Sequence, residues 1–97
     1  MVLMNTENVS AESIADNLEA RVRRIGQIDA NEIEFNRSVH LFEMGYLDSM
    51  GAVRLIEFIE GTYCLKLSEE QLNDSTFRSI NGMARIVANI LSQRNVA

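Results

Sequence analysis

The sequence predicts an all-α domain of three main helices and one short helix, with a long loop between the first and second. Three observations lead there. None of the 97 residues is Pro, so nothing forces a break inside a periodic run. Apolar residues recur at helical spacing in three separate segments. No stretch shows the strict alternation of a half-buried strand, and no internal repeat is present.

The first helix is predicted from about Ser10 to Ile25. Ile14, Leu18 and Ile25 share one face, with Ala11 and Val22 beside them. Ser10 is the expected N-cap, and Val9 with Ile14 would form a hydrophobic staple. Glu12 in the first turn and Arg23 and Arg24 in the last complement the helix dipole. Gly26 is the expected stop.

From Gln27 to Leu47 no period is sustained. Such a length without an element is unusual in a compact domain. Its scattered apolar residues (Ile28, Ile33, Phe35, Val39, Leu41, Phe42) suggest that it packs across the core. The second helix is predicted from Ser49 to about Thr62, roughly 20 Å long at the helical rise. Asp48 is its expected N-cap, which makes Ser49 its first residue. Ala52, Leu55, Ile56, Ile59 and Tyr63 form its core stripe. Arg54, Glu57 and Gly61 lie opposite, and Met50 and Val53 point away from the stripe.

Leu67 to Leu72 reads as one short helical turn capped by Ser68. The last helix is predicted from about Ser79 to Gln93, with Ile80, Met83, Ala84, Val87, Ile90 and Leu91 as its stripe and Arg94 at its negative end. Residues 1–9 are expected to be a flexible N-terminus, 10–93 the folded domain and 94–97 a tail.

Bulk properties exclude several functions. A net charge of −5 repels phosphate backbones, which argues against nucleic-acid binding. No apolar stretch approaches the ~20 residues that span a bilayer, so no membrane insertion is expected. The opening MVLMNTENVSAES lacks the layout of a secretion signal, and a lone Cys64 cannot form an internal disulfide. The expected location is cytoplasmic. One His and one Cys argue against a zinc site, and the acidic residues miss the spacing of a calcium loop, so no metal is expected. A hydrolase triad of Ser49 and His40 lacks the strand–turn–helix elbow that exposes such a nucleophile. Cys64 is expected to be a partly buried apolar residue. Met44, Met50 and Met83 read as core filler, with an adaptable groove as the alternative.

The chemistry concentrates at Leu41 to Met50. A serine at the first position of a helix is exposed, and the helix N-terminus offers unpaired N–H groups and partial positive charge. A phosphodiester built on the Ser49 oxygen would be stabilised there. Gly45 removes side-chain bulk, so an enzyme could approach. Against this, Asp-Ser is a common way to start any helix and by itself needs no further role.

The wider pattern resembles the acyl carrier and peptidyl carrier protein family, over about Ile14 to Leu91. The specific part is Phe42-x-x-Gly45-x-x-Asp48-Ser49-Met50, then Val53-x-Leu55-Ile56-x-x-Ile59-Glu60. Downstream, Phe77-Arg78-Ser79-Ile80 before an amphipathic helix is also similar. The resemblance implies a right-handed, mostly antiparallel bundle and a chain that carries but does not catalyse. It implies that Ser49 receives 4′-phosphopantetheine from coenzyme A through a magnesium-dependent phosphopantetheinyl transferase, with Asp48 as the neighbouring acidic residue. It implies as partners that transferase, a loading ligase for an acyl or aminoacyl group, and downstream enzymes that take the thioester. Docking is expected on the second helix through Met50, Val53, Arg54 and Glu57, with the chain acting as a monomer.

Members serving fatty-acid synthesis usually carry acids just after the modified serine, where this chain has Gly51 and Arg54. In this respect it looks more like D-alanyl carriers and other dedicated stand-alone carriers, which implies a specialised pathway. The competing expectation from another class is a small helical adaptor without a prosthetic group.

Overall fold

The computed structural model describes residues 10–94, and among them every regular element is helical. Four helices follow one another: α1 (Ala11–Ile25), α2 (Ser49–Tyr63), α3 (Glu69–Leu72) and α4 (Ile80–Arg94). These match the predicted segments to within a residue or two. The expected flexible segment 1–9, the Val9 half of the staple, and residues 95–97 of the tail lie outside the described residues. Arg94, assigned to the tail, is the last residue of α4.

Each helix forms where periodicity and capping coincide. In α1, Ser10 Oγ accepts the Ser13 N–H at 3.1 Å, while Ile14, Ala15, Leu18 and Val22 are buried. Ala11, placed beside the stripe, is exposed, and Ile25 is only partly buried. Helix α3 is fixed by a capping box: Ser68 Oγ accepts Gln71 N–H at 3.1 Å, and Gln71 Oε1 accepts Ser68 N–H at 2.8 Å. Before α4, Ser79 Oγ accepts the Gly82 N–H at 3.1 Å. α1 packs against α4 and α2 around one core that includes Leu18, Leu41, Leu55, Ile59, Ile80 and Val87.

Two helix ends differ from the expected chemistry. α1 stops at Gly26, but Gly26 is right-handed (φ −83°), and the left-handed residue is Gln27 (φ 53°). Glycine is needed there because the α2-leading loop comes close: a Cβ on Gly26 would lie 2.4 Å from the Tyr46 carbonyl oxygen. α2 ends on Cys64 in the left-handed conformation (φ 54°), which turns the side chain outward. Cys64 is therefore exposed rather than partly buried. Arg94 reaches across from α4 and donates to the Tyr63 carbonyl at 3.1 Å and to that of Cys64, closing the carboxyl end of α2.

The loop between α1 and α2 carries no helix, and it packs across the core. Phe35, Leu41 and Leu47 are buried, and Ile28, Val39, Phe42 and Tyr46 pack against them. Phe35 meets Tyr46 edge to face, with centroids 5.1 Å apart. Ile33 is the exception, 93% exposed. Polar tethers hold the loop: Arg37 reaches Glu19 at 2.7 Å and Asp16 at 2.6 Å on α1, and its carbonyl accepts the Asn81 N–H of α4 at 2.9 Å. The Leu41 N–H donates to the Arg78 carbonyl at 2.9 Å. No helix among the described residues is long and apolar enough to cross a membrane.

Candidate functional site

The approach to Ser49 is built by a compact turn. Met44 N–H donates to the His40 carbonyl, Gly45 N–H to Phe42, and both Tyr46 and Leu47 N–H to Leu41. His40 Nδ1 accepts the Glu43 N–H at 3.1 Å, which ties that side chain to the turn. Gly45 takes φ +80°, and a Cβ there would meet nothing within 4 Å. Glycine at this position serves the left-handed turn.

The turn delivers Leu47 into the core and leaves Asp48 and Ser49 exposed. Asp48 adopts the extended N-cap conformation, and its Oδ1 accepts the Gly51 N–H at 2.8 Å. Ser49 is the first residue of a 15-residue helix with no acid in its first turn. Its hydroxyl is engaged by no hydrogen bond among the described residues. One donor of the first turn is spent on Asp48, and the partial positive end of the helix stands beside a free hydroxyl.

Beside Ser49 opens a cleft of about 710 Å³. Asp48 and Ser49 stand on it together with the apolar side chains of Phe42, Leu47, Leu55 and Ile56, and it extends to Leu72, Phe77 and Met83 on the far wall. Its volume falls within the usual range for a small-molecule pocket. Among the described residues, Arg78 is the one cation lining it.

Ala52 and Ile56, assigned to the core stripe of α2, are half-buried and line this cleft, while Gly51 is the buried position. A Cβ on Gly51 would come within 3.1 Å of Leu47 Cδ2 and 3.3 Å of Ile25 Cγ2. Gly51 therefore answers to packing against α1, and of the two departures in charge only Arg54 faces solvent.

Met50, Val53, Arg54 and Glu57 all face solvent, outside the cleft, with Met50 64% and Val53 50% exposed. The methionines divide: Met83 is core filler, whereas Met44 and Met50 are exposed. The far wall of the cleft was not foreseen as part of the site. Its only signal was Phe77-Arg78-Ser79-Ile80, which gave family likeness without a role.

The helical bundle sets an exposed serine hydroxyl at a helix mouth, on the rim of a largely apolar cleft. The comparison with family models agrees: the model for the phosphopantetheine attachment site matches residues 12–87. That match covers most of the chain, and the chain belongs to the phosphopantetheine-attachment family. Proteins of this family carry covalently attached 4′-phosphopantetheine and act as non-catalytic carriers. No curated protein and no solved structure gives a significant match to the chain.

Proposed function

We propose that this chain is a carrier whose 4′-phosphopantetheine is attached to Ser49, and that it delivers an acyl or aminoacyl unit to successive enzymes of a specialised biosynthetic pathway in the cytoplasm. The observation that carries the reading is the Ser49 hydroxyl: exposed, free of hydrogen bonds among the described residues, first in α2, and open onto the cleft. The residues fit the group. The N-terminal N–H groups and dipole of α2 favour the phosphate charge next to Ser49, and Asp48 fixes the helix start that aims them. When bound, the arm supplies a terminal thiol that holds the cargo as a thioester.

The protein's own part is to present and to release. The apolar cleft supports an acyl cargo over a bare amino acid, because burying methylene groups yields ~0.8 kcal/mol each, whereas an α-ammonium group gains nothing there. The partners are a phosphopantetheinyl transferase, a loading ligase and downstream acyl-transfer enzymes. They dock on the outer face of α2, where Met50 and Val53 expose apolar surface beside Arg54 and Glu57. An adaptor without a prosthetic group has no observation in its favour beyond that same face.

Intact mass tests the reading. After incubation with coenzyme A, magnesium and a broad-specificity transferase, the chain gains one phosphopantetheine, and Ser49→Ala gains none. Addition to the Ser49→Ala chain, or none to the wild type, defeats the assignment.

A further inference from the structure

A second hollow, of about 320 Å³, opens near the start of α4, and neither Asp48 nor Ser49 lines it. The α1–α2 loop gives it Ser38 and His40, the segment after α3 gives Ser75, Arg78 and Ser79, and α4 gives Arg85. The chain holds 14 acidic residues against 9 Lys and Arg, yet no described acid lines this hollow. Two acids come near its lining residues. Glu43 stands 3.9 Å from His40 Nε2, and Asp74 accepts the Thr76 N–H at 2.8 Å and the Thr76 hydroxyl at 2.7 Å.

The lining is rich in unspent donors. Arg85 makes no hydrogen bond and no ion pair among the described residues, although an adjoining hollow brings Glu12 to its other side. Arg78 spends only Nη1, on the Leu72 and Phe77 carbonyls, which leaves Nε and Nη2. Ser79 Oγ accepts the Gly82 N–H at 3.1 Å and Ser38 Oγ accepts Asn81 Nδ2 at 3.2 Å, so both hydroxyl protons remain to be given. The backbone of the helix start is not the donor here. Asn81 N–H is taken by the Arg37 carbonyl at 2.9 Å, and Met83 N–H by that of Ser79 at 2.9 Å.

Two guanidinium groups on one small hollow repel each other, and an anion between them turns that repulsion into attraction. Hydroxyls from separate segments approach from several directions, which suits a tetrahedral oxyanion better than a carboxylate that accepts in one plane. A chain of net charge −5 does not draw in a polyanion, so a single small anion is the fitting ligand. We propose that this hollow binds one phosphate group, held by Arg78, Arg85 and the hydroxyls of Ser38 and Ser79. The site is separate from Ser49 and does not depend on the carrier function.

The experiment uses the full-length chain without its arm, isotope-labelled, and follows backbone amide resonances. Inorganic phosphate and ribose 5-phosphate are titrated at constant ionic strength, with chloride and acetate as the comparison ions. Phosphate is expected to give saturable shifts centred on Ser38, Ser79, Asn81 and Gly82, and chloride none that saturate. Tighter binding of ribose 5-phosphate marks a phosphate ester as the natural ligand, and equal or weaker binding marks free phosphate. Arg85 is exposed and bonds to nothing among the described residues, so Arg85→Gln keeps the fold. It should weaken phosphate about tenfold or more, the loss of one charge-assisted contact, with Arg85→Lys between. Arg24→Gln removes the same charge from α1 and should leave the affinity unchanged. Three results overturn the proposal: shifts shared by chloride or acetate, shifts centred on Ser49, Met50 and Gly51, or an equal loss in Arg85→Gln and Arg24→Gln.

Discussion

Helices α1 and α2 are a matched pair with different outer faces. Both are 15 residues long, both start on a side-chain N-cap, and both contribute four buried positions. Outside the core, α1 is charged and tied down: Glu19 pairs with Arg23 at 3.2 Å, and Asp16 and Glu19 both hold Arg37 of the loop. α2 instead leaves Met50 and Val53 in solvent and opens its first turn onto a cleft. The difference lies in what each helix shows to solvent: paired charges that brace the loop on α1, apolar side chains on α2. Isolated exposed apolar residues are ordinary. Two of them stand on the helix that begins at Ser49, and none on its twin, which is the asymmetry that the proposed docking face rests on.

Core truncations break or sharpen this comparison most strongly. Leu18 of α1 is fully buried in the core, and Leu18→Ala is expected to cost about 3–5 kcal/mol in urea unfolding. Leu55 of α2 is equally buried, at 1% exposure, yet it also forms a wall of the cleft. Part of its surroundings is already open, so Leu55→Ala is expected at about 2–3 kcal/mol, the lower end of the same range. A Leu55→Ala cost equal to or above that of Leu18→Ala would mean that α2 serves stability as fully as α1 does.

The next effect tests the tethered side of α1. Hydrogen bonding from the Arg37 guanidinium, aided by Arg23, holds the Glu19 carboxyl below its ordinary value of 4.5, and the same contact raises Arg37. A carboxyl depressed in the folded state contributes stability that is fully present above its unfolded value and is lost as pH falls through the folded one. Stability should therefore be flat in this respect above about pH 5.5 and decline below 4.5. Arg37→Met should cost about 1 kcal/mol at neutral pH, the scale of a partly exposed ion-pair network, and should flatten the acid limb. An unchanged acid limb in Arg37→Met would place the titration elsewhere. Since Arg37 also anchors the loop that forms one wall of the cleft, the variant reports whether that anchoring is electrostatic or rests on Phe35, Leu41 and Leu47.

The helices were legible because their determinants are local. Ser10, Asp48 and Ser68 each sit three residues before the N–H they cap, and the stripes of α1 and α4 repeat within a few turns. Ser49 was legible for the same reason, since a cap and a helix start lie side by side in the chain. The loop was legible as a segment packed across the core, but its path was not, because its tethers join residues far apart: Arg37 to Glu19, Arg37 to Asn81, Leu41 to Arg78. Gly26 shows the same limit. Its place at the end of α1 suggested a helix stop, and only the folded chain reveals the Tyr46 carbonyl against it. Periodicity likewise placed Ala52 and Ile56 toward the inside, but it does not distinguish a packed inside from the lining of a cleft. The cleft depends on how far α3 and its flanking segments stand from α2, a distance that no single helix encodes.

The smallest expected change in stability carries the sharpest test of the contrast. Met50 and Arg54 are both exposed on α2, and surface substitutions of this kind stay within about 0.5 kcal/mol. Met50→Ala and Arg54→Glu should unfold at the wild-type urea concentration. Both should still accept the arm when the transferase is in excess, because Ser49 and Asp48 are untouched. Transfer of the loaded group to a partner enzyme should nevertheless fall, since exposed apolar anchors and rim charges set complex lifetime and association rate. Raising salt should weaken the Arg54 dependence and leave that of Met50, because only the former is screened. The matching control lies on α1: Arg24→Glu, also exposed, should leave transfer unchanged and cost only the lost helix-end charge, about 0.3–1 kcal/mol. If Arg24→Glu slows transfer as much as Arg54→Glu does, docking follows the net charge of the whole domain and the outer face of α2 holds no privileged role.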